Sequence, residues 1–326
     1  MSSSNLPVPL VVVGAEAAPH FLDDQELLTD FLGDLTANTR RAYDGDLRDF
    51  ARSLGLNSPW AGVAVLLSKG AGEANRLALR YKIDMFGRGL KPNTVRRRLA
   101  ALRSVVNLAR RLGRIPWVLD CPGPRAEVYK DTRGPGAGWK DMRKVAAADA
   151  ATGKALAVRD RAMVRVCHDL GLRVAELLSL DLEHVEFSGG ETSVWVLGKG
   201  RKERERLTVP ENTALPLAAW LAVRGLEAGP LFVRLDRAGK GNKGRLTSRS
   251  AARTVGALAV KAGIARRLSP HGLRHHAITE VLDRNGGNMV FGQEFSRHAD
   301  PRSLQDYYDH LKDHHGAMAA LISDKD

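Results

Sequence analysis

The stretch Ser269–Tyr308, SPHGLRHHAITEVLDRNGGNMVFGQEFSRHADPRSLQDYY, concentrates the chemistry of this chain. Ser269-Pro270-His271 opens the helix that carries Arg274. His271 and Arg274 then fall three residues apart, on one face of that helix. His298 comes after Gly292 and before Asp300-Pro301, and Tyr307 follows it by nine residues, on the next helical turn. Guanidinium, imidazole and phenol are the groups needed to hold a phosphodiester and attack its phosphorus. Each has a plainer reading alone, since a His at a helix start is more often a cap or a packed residue than a catalyst. The functional reading needs a polyanionic partner and further cations from elsewhere in the chain.

Composition supplies the partner. The 326 residues suggest two domains, each large enough to bury its own core. Lys and Arg number 50 against 37 Asp and Glu, a formal net charge of +13, which favours a polyanion. Distribution sharpens the point: from Met85 to Leu119 there are nine basic residues and no acidic one. A merely solvated face would mix signs, so nucleic-acid contact is the stronger reading. No run approaches the roughly 18–20 apolar residues of a membrane span, and Pro7–Gly14 is short and lacks a basic flank. Residues 1–20 are therefore expected to form a flexible tail, and a cytoplasmic, nucleoid-associated protein is the default. Cys121 and Cys167 are too few for a disulfide framework or a Cys-based zinc site.

The first half reads as helical. After the segment beginning at Phe21, Tyr43, Leu47, Phe50 and Leu54 keep helical spacing, with Thr36 or Asn38 available as a cap. Further helices are expected over Pro59–Leu67 and Gly72–Arg88. Lys91-Pro92-Asn93-Thr94 opens a long helix to Leu112, whose Leu99, Leu102, Val106 and Ala109 form an apolar stripe. Lys91, Arg96, Arg97, Arg98, Arg103, Arg110 and Arg111 are the candidate DNA-phosphate contacts. A helical bundle using Arg for solubility is the alternative. Asp120–Lys140 is rich in Pro and Gly and reads as a linker. Its GPGAG lacks the strand and the Lys-Ser/Thr of a phosphate-binding loop, so no nucleotide site is expected.

The second half carries the remaining cations. Gly171-Leu172-Arg173 interrupts two helical stretches, setting Arg173 at a helix start, where helix amides would add favourable field for a phosphate. A surface pair with Glu176 is the plain alternative. Residues 185–210 alternate around Gly turns and read as a small antiparallel sheet, with Lys199 at a hairpin tip. A Lys there can act as a general acid, with Arg201 and Lys202 beside it as DNA contacts and Lys202 as a competitor for the role. Helices are expected at Ala214–Val223 and Ser248–Gly263, with a basic Gly-rich loop over Asp236–Arg245. The fold class is thus mainly α with a small antiparallel β-sheet in the C-terminal domain. The expected boundaries are residues 1–20 for the tail, 21–120 for a helical DNA-binding domain, 121–140 for the linker and 141–326 for a catalytic domain with a C-terminal tail.

Four segments resemble the tyrosine recombinase (phage integrase, Xer-like) family. GLRVAELLSLDLEHV is similar to its first-Arg motif and VLGKGRKERERLTVP to its β-hairpin Lys motif. SPHGLRHHAIT matches its His-x-x-Arg motif, and RHADPRSLQDYY its closing His and Tyr box. Upstream, Asn38, Thr39, Tyr43, Leu47 and Phe50, together with GLKPNTVRRRLAALRSVVNLARRLGRI, resemble the helical core-binding domain. The resemblance implies a two-domain recombinase fold, a helical core-binding domain plus an α+β catalytic domain. It also implies an active site of Arg173, Lys199, His271, Arg274, His298 and Tyr307, with Glu176 orienting a basic group behind it. The implied activity is site-specific DNA recombination through a 3′-phosphotyrosyl intermediate, on double-stranded DNA carrying inverted repeats. A homotetramer on DNA, joined by exchange of C-terminal tails, is implied as well. Because the covalent link conserves the phosphodiester energy, neither cofactor nor metal is expected. One departure is the tandem Tyr307-Tyr308: spacing from His298 selects Tyr307, and an alignment on Asp309-His310 would select Tyr308. Type IB topoisomerase-like relaxation and a non-catalytic DNA-binding role are the rival readings. The His-rich tail (His310, His314, His315) reads as solvated rather than as a zinc site.

Overall fold

The computed structural model of the protein describes residues 23–125, 134–236, 239, 244–298, 304 and 323. They fall into two units, one up to residue 130 and one from residue 131 onward.

The first unit consists of α1 (Asp24–Gly33), α2 (Ala37–Ser53), α3 (Pro59–Leu67), α4 (Ala71–Gly87) and α5 (Pro92–Arg111). A reciprocal cap starts α1: Asp23 Oδ1 accepts the Glu26 N–H at 2.7 Å and Glu26 Oε2 accepts the Asp23 N–H at 3.3 Å. Thr36 occupies the N-cap of α2, but its hydroxyl meets Thr39 Oγ1 at 3.0 Å rather than an amide. The apolar stripe of α5 is buried as its spacing predicts: Leu99, Leu102, Val106 and Ala109 join Val95, Ala101 and Val105. Each fully buried Leu or Val contributes about 1.5–3 kcal/mol, so the stripe anchors a helix whose other faces are basic.

Not all of that basic surface faces solvent. Arg97 Nη1 lies 2.7 Å from Asp46 Oδ2, Arg98 pairs with both Asp46 and Asp49, and Arg88 Nη2 lies 2.9 Å from Asp49 Oδ2. Tyr81 also donates to Asp49, at 2.8 Å. Asp46 and Asp49 are buried, and a buried carboxylate must find cations to remain charged. Arg103 donates to the Cys121 carbonyl at 2.8 Å, and Cys121 itself packs into the first unit's core.

The second unit builds its core from α6 (Gly138–Ala151), α7 (Ala155–Asp169), α8 (Val174–Leu178), α9 (Glu211–Arg224), α10 (Ser248–Lys261) and α11 (Pro270–Arg284) around a three-stranded sheet. The strands β1 (Val185–Ser188), β2 (Glu191–Leu197) and β3 (Arg204–Val209) are antiparallel in the order β1-β2-β3. Gly189 and Gly190, both at positive φ, form the tight turn between β1 and β2. Val194 and Val196 of β2 point into the core and Trp195 points outward, the alternation of a sheet covered on one face. Trp139, at the start of α6, is buried in the same core, so the chain has joined this unit before residue 140.

A turn at Gly286-Gly287, both at positive φ, precedes His298, and between the two stands a short helix, α12 (Met289–Ser296), that the sequence reading did not include. Within α12, a Cβ on Gly292 would lie 2.5 Å from Leu282 Cδ2, so the glycine lets α12 approach α11 closely. Val290 and Phe291 of α12 remain exposed, which blurred the apolar pattern. Among the described residues no helix is long and apolar enough to cross a membrane.

Candidate active site

The site begins where α7 ends. Gly171 takes φ +55°, the left-handed region that favours glycine, and turns the chain into Leu172 and Arg173. Arg173 is the N-cap of α8, as its position after the glycine suggested. The helix behind it is short, which limits the field its amides add. α8 is five residues long, and the Arg173 N–H is taken by Glu176 Oε2 at 2.8 Å. The Arg173 side chain turns to the same carboxylate, with Nη1 at 2.7 Å from Oε1.

Glu176 is no surface helix partner. Its side chain is 3% exposed and gathers cations from three elements. Arg297 Nη2 lies 2.8 Å from Oε2, and Arg274 Nη1 lies 3.9 Å from the same oxygen. Burial alone would raise the Glu176 pKa. The hydrogen bonds from Arg173 and the charge of Arg297 outweigh it and hold the carboxyl below its ordinary range.

Arg274 is delivered by α11, whose start is set by Pro270 at the first turn and by Ser269, whose Oγ accepts the Gly272 N–H at 3.3 Å. Arg274 is 1% exposed. Its Nη1 donates to the Gly171 carbonyl and its Nη2 to the Ser296 carbonyl. Two backbone acceptors from different elements thus fix the guanidinium plane. His298 Nε2 lies 3.4 Å from Arg274 Nη2, and His298 Nδ1 lies 2.8 Å from Ser296 Oγ. Burial first, and then the charges of Arg274, Arg173, His271 and Arg297, push the His298 imidazole down to about 4. It is therefore neutral at physiological pH before any anion arrives.

Arg297 was not among the residues anticipated from sequence. It ends α12 in the left-handed conformation, φ 55°, the one such non-glycine among the described residues. That turn returns its side chain to Glu176 while passing the chain on to His298. A local signal existed only as the basic residue beside His298; its conformation and its partner depend on the packing of α12.

Arg173, Arg274 and His298 are thus brought together. His271 is exposed on the first turn of α11, and its charge is felt at His298. Lys199 lies on the exposed β2–β3 turn with Arg201 and Lys202. Among the described residues no hydrogen bond or ion pair ties Lys199 to the cluster. Tyr307, Tyr308 and the C-terminal tail with His310, His314 and His315 lie outside the described residues. On α5, Lys91, Arg96, Arg97, Arg110 and Arg111 are exposed, whereas Arg98 and Arg103 are partly buried in internal contacts.

Chemically, three guanidiniums surround one carboxylate. Both Glu176 oxygens accept hydrogen bonds, Oε1 from the Arg173 guanidinium and Oε2 from the Arg173 N–H and Arg297. The surplus of positive charge, with a neutral imidazole at its edge, suits an anion such as a phosphodiester.

Known proteins identify the family. The phage integrase family matches residues 140–315, more than half of the chain. A tyrosine recombinase of Synechocystis sp. is 33% identical over 307 residues, covering 92% of this chain and 96% of the relative. Another, from Synechococcus elongatus, is 37% identical over 313 residues, covering 94% and 95%. Tyrosine recombinase XerC of Salmonella typhi is 39% identical over 163 residues, 49% of this chain and 51% of that protein. Among solved structures, the Tn1549 transposon integrase in complex with a circular intermediate DNA superposes with a TM-score of 0.66 at 16% identity, covering 92% of this chain and 99% of that one. XerH site-specific recombinase bound to difH in a pre-cleavage complex gives 0.62 at 15% identity, covering 88% and 82%. These two share the fold: mainly helical, with the small antiparallel sheet. The four sequence motifs, the helical architecture and the matches along nearly the whole chain lead to one conclusion: this protein belongs to the phage integrase family of tyrosine recombinases.

Proposed function

We propose that the protein is a site-specific DNA recombinase that cuts and rejoins double-stranded DNA through a covalent 3′-phosphotyrosyl intermediate. The observation that carries this is the three-to-one gathering of Arg173, Arg274 and Arg297 on buried Glu176, with His298 at its edge. Such a site has surplus positive charge held in place before the substrate binds, and this is the form of electrostatic stabilisation phosphoryl transfer needs. Relatives whose solved forms hold DNA support the choice of substrate.

In this mechanism Arg173 and Arg274 hold the non-bridging oxygens of the scissile phosphate. Glu176 orients both guanidiniums. Tyr307 attacks in line, its phenolic oxygen forming a bond to phosphorus as the bond to the 5′ oxygen breaks. His271 takes part in removing the phenol proton, which a phenol of ordinary pKa near 10 does not lose unaided at neutral pH. Lys199 delivers a proton to the departing 5′ oxygen, and its position on an exposed turn leaves it room to close over DNA. His298 hydrogen-bonds a non-bridging oxygen; the phosphate's negative charge offsets the surrounding cations and favours the protonated ring. The exposed basic residues of α5, with Arg201 and Lys202, hold the duplex backbone. Recombination requires two duplexes cut on both strands, so the working species is a homotetramer on an inverted-repeat site.

A nicked suicide DNA substrate tests this. Wild type traps a covalent protein–DNA complex, and Tyr307→Phe does not. Trapping by Tyr307→Phe but not by Tyr308→Phe would move the nucleophile one residue along. Unchanged trapping by both variants would overturn the mechanism.

A further inference from the structure

We propose that His168, His276 and Glu280 form a binding site for one zinc ion, which pins α7 to α11 behind the active site.

The three donor atoms form a small triangle. His168 Nε2 is 2.8 Å from His276 Nδ1, and Glu280 Oε2 is 3.9 Å from the former and 3.8 Å from the latter. A point equidistant from all three lies about 2.1 Å from each, the length of a zinc–nitrogen or zinc–oxygen bond. Two imidazoles and one carboxylate leave a fourth position for water. That side is open: His276, Glu280, Thr279 and Trp139 line a cavity of about 630 Å³.

The outer contacts match what metal-bound imidazoles require. His168 presents Nδ1 to Asp169 Oδ1 at 2.8 Å. Asp169 is itself held by Arg165 Nε at 2.8 Å and by the Thr213 hydroxyl. His276 hydrogen-bonds the Gly136 backbone in the sense that favours a ring proton there, so the ring donates to it. Glu280 Oε1 engages Arg284, leaving Oε2 turned to the rings. Trp139 stacks on His168 with centroids 3.9 Å apart, fixing the ring plane.

Each ring uses its N–H outward, His168 toward a carboxylate and His276 toward backbone. With both rings neutral, each turns a lone pair inward, and the 2.8 Å contact then calls for a cation between the two nitrogens. A proton can fill that role for the two nitrogens. Glu280 Oε2, sharing the same focus, marks room for a cation with a third ligand. Gly134 closes the site: a Cβ on it would fall 2.0 Å from that of His276, so only glycine lets the chain lie this close over α11.

The consequence is mechanical. α7 leads through Gly171 to Arg173, and α11 carries His271 and Arg274. A metal joining His168 to His276 and Glu280 ties together the two helices that set those groups.

The test uses the full-length, untagged protein, stripped of metal and titrated with Co²⁺ as a spectroscopic stand-in. Wild type is expected to give the visible bands of four-coordinate Co²⁺ at one equivalent, to lose them on adding Zn²⁺, and to melt at higher temperature with Zn²⁺ than without. Glu280→Gln and Asp169→Asn are expected to weaken binding by about 10- to 100-fold, and His276→Gln to abolish it. Glu280 is partly exposed, so its substitution tests ligation without emptying the core. Replacing His310, His314 and His315 together by Asn should leave binding unchanged. Absence of Co²⁺ bands, undiminished binding in both Glu280→Gln and His276→Gln, or loss of binding in the tail variant would each overturn the assignment.

Discussion

Arg297 and Glu176 stand 121 residues apart in the chain and meet in a 2.8 Å ion pair, the arginine held in a left-handed backbone conformation. A non-glycine residue there costs about 1–2 kcal/mol. The buried pair offsets that cost, because Glu176 would otherwise keep fewer cations. Arg297→Ala keeps the backbone cost and loses the pair, whereas Arg297→Gly loses the pair and relieves the backbone. Chemical denaturation should therefore find Arg297→Ala less stable than Arg297→Gly by about 1 kcal/mol. Equal stabilities would mean the turn is unstrained.

Glu176→Gln removes the charge that three guanidiniums share without changing the shape of the side chain. A buried pair broken on one side typically costs about 3–5 kcal/mol. The expected result is a loss of about 3 kcal/mol in urea unfolding, with DNA cleavage lost at temperatures where the variant is still folded. Cleavage at the wild-type rate by folded Glu176→Gln would remove Glu176 from its orienting role.

The acid side of the stability curve should carry the mark of His276. An unfolded imidazole titrates near 6.5, and burial holds the folded one near 4. Between those values the unfolded chain binds a proton that the folded protein does not. Stability is thus unaffected above about 6.5, falls as pH drops through the window, and has lost the full amount below about 4. The expected size is about 2–3 kcal/mol, and His276→Gln should flatten this part of the curve. Metal-free protein is required, since zinc would deepen the dependence. His298 shifts in the same direction, so its imidazole carbon resonances should show a neutral ring well below pH 6.

The arginines of α5 divide by their partners. Arg98 is paired with Asp46 and Asp49, so Arg98→Ala should destabilise the first unit by about 3 kcal/mol. Arg110 and Arg111 are exposed, so their joint substitution by Ala should leave unfolding unchanged. If they contact phosphates, it should weaken DNA binding and reduce the salt slope by about one per lost contact. Filter binding across a salt series separates the two classes.

Much of this molecule was legible along the chain because its signals are local. The stripe on α5, the Gly189-Gly190 hairpin and the Ser269-Pro270 start of α11 each depend on residues within a few positions. Arg173, Arg274 and His298 could be chosen because they sit in recognisable local patterns. The five-residue length of α8 and the capture of the Arg173 N–H by Glu176 were not legible, since a short helix has little periodicity. Nor was α12, a helix of eight residues whose exposed Val290 and Phe291 leave little apolar periodicity.

By itself the sequence determined the helical and strand segments, the basic character of the first unit and the set of groups able to hold a phosphate. Hydrophobic periodicity, caps and charge are properties of neighbouring residues. Only the tertiary structure decided which cations are committed. Asp46 and Asp49 claim Arg97, Arg98 and Arg88, while Glu176 gathers Arg173 and Arg297 and lies close to Arg274. Burying a carboxylate removes its water, and the cations that replace that water come from whichever helices packing brings near.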